Sequence, residues 1–143
     1  MIVDKTTRLN VMLTQVELDL YRLRVGETRY LDTLIDDVEA VRRLLDDIGR
    51  LYVVQWPETQ GPYQSLLERY PVFEGKVSSL ATAQDADFAR QYTVEALSQA
   101  VAMHENVSRI NRRAHEHAQR EQVALTDRLR WLILGGALGG VFI

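Results

Sequence analysis

Residues 9–52 read LNVMLTQVELDLYRLRVGETRYLDTLIDDVEAVRRLLDDIGRLY. Leu9, Leu13, Val16, Leu20 and Leu23 recur at alternating steps of four and three. The pattern resumes at Leu31, Leu34, Val38, Val41, Leu45, Ile48 and Tyr52. An apolar repeat near 3.5 residues marks a helix that buries one seam. Between Leu23 and Leu31 the step is four plus four through Glu27, a stutter that locally unwinds a coiled coil. Gly26 stands at the same place, where a bend or bulge is plausible. No proline, Asn-Gly pair or polar cluster breaks the run, so the pattern predicts one helix from about Asp4 to Val54. At 1.5 Å per residue it would be about 75 Å long.

Outward from this stretch, Trp56-Pro57 ends the helix, because a residue before proline leaves helical geometry. Gly61-Pro62 reads as the next start, with proline in the first turn. Tyr63, Leu66, Leu67 and Tyr70 give one apolar face, and Pro71 interrupts it. Val72, Phe73, Val77 and Leu80 form a second short segment ending near Ala83. Asp85 is an N-cap for the last helix. That helix carries Phe88, Tyr92, Leu97, Ala100, Met103, Val107, Ile110, Ala114, Ala118 and Leu125, and no breaker separates it from the C-terminal segment.

The C-terminal segment is unlike the rest. Residues 131–143, WLILGGALGGVFI, carry no charge, and four of the eight glycines fall within Gly135–Gly140. We read residues 1–128 as the helical domain and 129–143 as the first part of a transmembrane helix, which needs about 20 apolar residues in all. Trp131 takes the interfacial position, with Arg128 and Arg130 as headgroup contacts. Gly135 and Gly139, like Gly136 and Gly140, are spaced by four, as where membrane helices pack closely. The alternative is a core helix capping a bundle, in which four glycines would cost about 1 kcal/mol each relative to alanine.

If the last helix descends into a membrane and the first rises from one, the number of passes is even. A break at Pro71 satisfies this with two long and two short helices. A break at Gly26, turning the first helix into a hairpin, satisfies it too. The proline is the stronger breaker, since it removes a donor and clashes with the preceding turn. Either way the expected fold is all-α, an elongated antiparallel up-down-up-down four-helix bundle. A second copy would cover the apolar seams of the long helices, which makes a homodimer the expected assembly.

Composition excludes several functions. The 143 residues carry 17 basic and 20 acidic side chains, net −3, which argues against nucleic acid as a partner. The chain has no cysteine, so disulfides and thiolate chemistry are absent. No phosphate-binding or nucleophile motif occurs. His115 and His117 are two residues apart and diverge, and no histidine has a glutamate three residues before it, as a carboxylate-bridged metal site in a bundle expects. We therefore expect no catalytic residue, metal or cofactor in this chain. From Asp32 to Asp47 six acids stand against Arg42 and Arg43, a solvated face or a cation-sensing patch. The run Asn111–Arg120 is polar and basic around the small residues Ala114 and Ala118. Asn111 and Glu121 fall near the seam, where a polar residue fixes register at a cost in stability.

Of eleven aromatics, seven lie between Tyr52 and Tyr92, interleaved with Arg50, Arg69 and Arg90. An apolar wall with converging guanidinium groups suits a small carboxylate-bearing ligand. Arg50, Trp56, Tyr63, Arg69, Arg90 and Tyr92 are the candidate contacts. The alternative is that the aromatics fill the core of a tip built from short helices.

Residues 17–38, ELDLYRLRVGETRYLDTLIDDV, resemble a segment in the first helix of bacterial helical-bundle sensor domains. Tyr21, Gly26, Glu27, Tyr30 and Leu31 match its aromatic, glycine and Tyr-Leu positions; the pattern often has Asp where Glu27 stands. The resemblance implies the extracytoplasmic input domain of a chemoreceptor or sensor histidine kinase. Such a domain is periplasmic and joined to the inner membrane by its last helix. The output region, a kinase or methyl-accepting segment, would lie beyond Ile143. The other functional class is a membrane-anchored helical adaptor with no small-molecule ligand.

Overall fold

A computed structural model describes residues 2–51 and 55–141, with side chains for 4–51 and 55–135. It contains four helices: α1 (Ile2–Arg24), α2 (Tyr30–Gly49), α3 (Pro57–Thr82) and α4 (Ala86–Val141). The end of the quoted stretch, Tyr52 to Val54, lies outside the described residues.

The helix expected from Asp4 to Val54 is a hairpin. Gly26 has φ 97°, the one positive φ among the described residues. Glu27 N–H bonds Arg22 O at 3.0 Å and Gly26 N–H bonds Leu23 O at 3.1 Å. These are the two hydrogen bonds of a Schellman ending, with glycine in the left-handed position. A Cβ at Gly26 would meet nothing within 4 Å, so glycine is needed there for its dihedral and not for space. The stutter is thus the turn itself. Both arms bury the seam read from the sequence: Leu9, Leu13, Val16 and Leu20 on α1, and Leu34, Val38, Val41, Leu45 and Ile48 on α2.

Pro71 does not break the chain. α3 is one helix through both Pro62 and Pro71. Pro71 is exposed, so the carbonyl it leaves without a donor can turn to water. On the opposite face Leu66, Phe73, Val77 and Leu80 are buried and hold the two halves in line. The helix starts one turn earlier than Gly61-Pro62 suggested. Trp56 is the extended N-cap, with ψ 136°, and Pro57 occupies the first helical position. Asp85 caps α4 as read, its Oδ1 accepting Asp87 N–H at 2.8 Å. The expectation of two long and two short helices is corrected accordingly: α4, with 56 residues, is the long one, and α1 to α3 have 23, 20 and 26.

α4 is the spine of the molecule. Against α1 it pairs Asn111 with Thr6, Ser108 with Asn10 and His104 with Glu17. Against α3 it pairs His117 with Glu58, Asn106 with Ser65, Gln99 with Arg69 and Glu95 with Lys76. In both interfaces the numbers fall on α4 as they rise on its neighbour. Lys5 and Asp47 close the α1–α2 hairpin at 3.0 Å. One core cluster runs through all four helices, with Phe73, Leu13, Leu34 and Met103 fully buried.

Candidate functional site

The α1–α4 interface is partly polar. Asn111 Nδ2 donates to Thr6 Oγ1 at 2.7 Å and to Thr7 Oγ1 at 3.1 Å. Ser108 Oγ donates to Asn10 Oδ1 at 3.4 Å, and His104 Nδ1 meets Glu17 Oε1 at 2.8 Å. Below this ladder lie Leu9, Leu13, Val107 and Ile110, all buried. A hydrogen bond of this kind contributes about 1 kcal/mol net, because water replaces it when it opens. The ladder therefore adds modestly to the register that the buried apolar contacts beneath it also hold. Asn111 occupies the register-setting place read from the sequence, and Ala114 is buried beside it. Ala118 and Glu121 are exposed, outside the bundle.

Beyond His117, α4 leaves the bundle. Every residue from Ala118 to Gly135 is exposed, a projection of about 27 Å at 1.5 Å per residue. Its base is pinned by Trp56, whose ring stacks on His117 with centroids 3.6 Å apart. His117 Nε2 also meets Glu58 Oε1, and that contact holds the Glu58 carboxyl below its usual range. The projecting end is apolar, with Leu129, Trp131, Leu132, Ile133 and Leu134 all more than half exposed. Arg128 and Arg130 are exposed just before Trp131. Among the described residues no helix is long and apolar enough to cross a membrane. Gly135 has open space around it, whereas the surroundings of Gly136, Gly139 and Gly140 lie outside the described residues.

The six candidate ligand contacts are spread along the bundle. Arg50, exposed at the end of α2, Trp56 at the start of α3 and half-buried Tyr63 belong to the end where α4 leaves. A Cβ on Gly49 would fall 2.5 Å from Tyr63 Oη, so a side chain there would push the Tyr63 ring aside. Arg69 is midway, bonded to Ser65 and Gln99. Tyr92 is at the other end, near Phe88 and under Lys76. Arg90 lines a cavity of about 280 Å³ beside the Gly26 turn. On α4, Tyr92 and the His117 that carries Trp56 are separated by about 37 Å. The hairpin causes this division. With the first break at Gly26 and not at Pro71, the aromatics from Trp56 to Tyr92 span the full length of α3 and return.

Two features had no clear signal in the sequence. A cleft of about 560 Å³ separates α2 from α3, lined by Ile35, Val38, Arg42, Tyr70 and Glu74 among others. Tyr70 Oη is closed to solvent there without a well-aligned partner, and burial, then Glu74, pushes its phenol up. The second is Asp19, a fully buried acid on the seam side of α1. Its place three residues after Val16 and one before Leu20 was the available clue, but periodicity alone does not separate a core acid from a flanking one. Asp37 meets it from α2.

No family model, curated protein or solved structure matches the chain.

Proposed function

We propose that the chain is the extracytoplasmic input domain of a bacterial inner-membrane receptor, of the sensor histidine kinase or chemoreceptor type. One observation carries this reading. α4 is continuous from the polar ladder on α1, through the Trp56–His117 contact, to an exposed apolar end. A helix built so turns a small change of register in the bundle into displacement of its far end. Displacements of 1–2 Å and couplings of about 1–3 kcal/mol are enough for such a device. In this reading the four helices run up-down-up-down, and Leu129 onward enters the bilayer with Trp131, Arg128 and Arg130 at its surface.

The functional unit is a homodimer. Val11, Leu18 and Tyr21 are exposed on the outer face of α1 at steps of seven and three, and Val25, just past its end, is exposed as well. Such a stripe is a second seam, facing away from the core and suited to a copy of itself. A small ligand has room in the α2–α3 cleft. The lining there has three acids, Asp36, Glu39 and Glu74, against Arg42, which Glu39 already pairs. That charge suits an amine better than the carboxylate suggested by the interleaved arginines.

The test is a thermal-shift screen with small amines, amino acids and acids, followed by vesicle binding. Amines are expected to raise the Tm. Trp131 emission is expected to move to the blue on phosphatidylcholine–phosphatidylglycerol vesicles. A chain that ignores such vesicles at every lipid concentration would overturn the reading. The spread of the six candidate contacts along the bundle favours a second reading, a membrane-anchored helical adaptor without a ligand. That reading predicts the vesicle response with no thermal shift from any small molecule.

A further inference from the structure

α1 buries an acid beside its apolar seam. Asp19 is 0% exposed, between the core residues Val16 and Leu20. Gln15 Nε2 donates to its Oδ1 at 3.1 Å. Its Oδ2 is closed to solvent and has no partner. Asp37 of α2 lies within hydrogen-bonding reach of Asp19, and its own Oδ2 is likewise closed and unpartnered. Two ionised carboxylates offer only acceptors to one another. One proton between them converts the pair into a donor and an acceptor and removes a buried charge, which is the cheaper state wherever water is excluded.

Among the described residues, the charged groups at this level give no cation to take the proton's place. On α2, Asp36 adds repulsion, while Arg42 and Arg43 are engaged by Glu39. On α1 and α4, Glu17 is held by His104. On α1, Arg22 lies over the Tyr30 ring at 4.5 Å. On α3 the groups are Tyr70 and Glu74, both facing the cleft. No group of three or more metal-ligating side chains occurs among the described residues.

We propose that Asp19 and Asp37 form a proton-binding site in the α1–α2 interface, holding one proton between them and loosening that interface when the proton leaves. Burial first, then the hydrogen bond and charge of Asp19, push the Asp37 carboxyl up to about 7. In the unfolded chain an aspartate titrates near its ordinary value of 3.8. The folded protein therefore keeps a proton that the unfolded chain releases. Its stabilisation is complete below about pH 4, declines as pH rises through 7, and is then gone. The assignment stands on the carboxyl pair and does not need the chain to be a sensor; within that reading the proton becomes an input.

The experiment is carbon-detected NMR of the aspartate carboxyls of the full chain, with Tm followed from pH 4.5 to 8 for wild type, Asp37→Asn and His104→Gln. One carboxyl signal is expected to titrate between pH 6 and 8. The wild-type Tm is expected to fall over the range by about 5 °C. Asp37→Asn should flatten the fall, and His104→Gln should keep it. The proposal is overturned if every aspartate titrates below pH 5, or if wild type and Asp37→Asn share one profile. It is overturned equally if sodium chloride, but not choline chloride, restores the Tm at pH 8, since the site would then hold a metal cation. Should Asp37→Asn fail to fold, the wild-type carboxyl titration decides alone.

Discussion

Lys5 Nζ lies 3.0 Å from Asp47 Oδ2. The two ends of the stretch whose apolar repeat stutters at Gly26 are therefore side by side. The ion pair is half exposed and contributes little, about 0–1 kcal/mol. What closes the hairpin is the Gly26 ending and the seam that both arms bury together.

That geometry predicts a short distance where a single helix predicts a long one. Spin labels at Arg8 and Arg43, which flank one groove between α1 and α2, should lie within about 20 Å of each other. Along one continuous helix they would be about 52 Å apart. Labelled chains diluted with unlabelled ones keep the measurement within one protomer.

Two glycines with equally open surroundings should respond in opposite ways. Gly26→Ala forces a side chain into the left-handed region and should destabilise by about 1–2 kcal/mol. Gly75→Ala lies within α3, at ordinary φ and with no atom near the new Cβ. It should stabilise by about 0.5–1 kcal/mol. Urea denaturation of both variants checks the pair, and equal effects would contradict the turn.

Stability and self-association should separate by helix face. Leu13→Ala empties a fully buried position and should cost about 2–5 kcal/mol. Leu18→Asp, on the exposed stripe of α1, should leave the Tm close to wild type and shift the chain to monomer in analytical ultracentrifugation. A dimer that survives Leu18→Asp places its interface elsewhere.

The polar ladder should couple its partners. Asn111→Ala and Thr6→Val each remove one side of a 2.7 Å hydrogen bond. The double variant should lose less than the sum of the singles, with a coupling of about 0.5–1.5 kcal/mol. Strict additivity would mean that the ladder does not act across the interface.

The helical character of the chain, the buried faces of α1 and α2 and the Asp85 cap were legible because periodicity reports which residues are covered; the division into helices was not, and Leu67, Val72 and Phe88 are exposed. Direction was less legible. The seam of Leu9–Leu23 resumes at Leu31–Ile48 after one stutter, and a bent helix and a hairpin read alike there. What decides between them is one dihedral at Gly26. Proline at 71 looked decisive but sits on the exposed face of α3, where the lost hydrogen bond is cheap. The ligand contacts depended on that choice, which is why Trp56 and Tyr92 end at opposite ends of the bundle. Asp19 was hidden for another reason: whether an acid beside a seam is buried depends on which helix packs over it, and here α2 does.

The central claim is that α4 shifts against α1. Spin labels at exposed Arg8 on α1 and exposed Arg120 on the projecting part of α4 report that movement by double electron–electron resonance, in chains diluted to one labelled protomer on phosphatidylcholine–phosphatidylglycerol vesicles. The account predicts a distance distribution that moves by about 1–2 Å between pH 5.5 and pH 8, or on saturation with an amine that raises the Tm. A single distribution, unchanged by pH and by every amine, amino acid and acid tried, would contradict it.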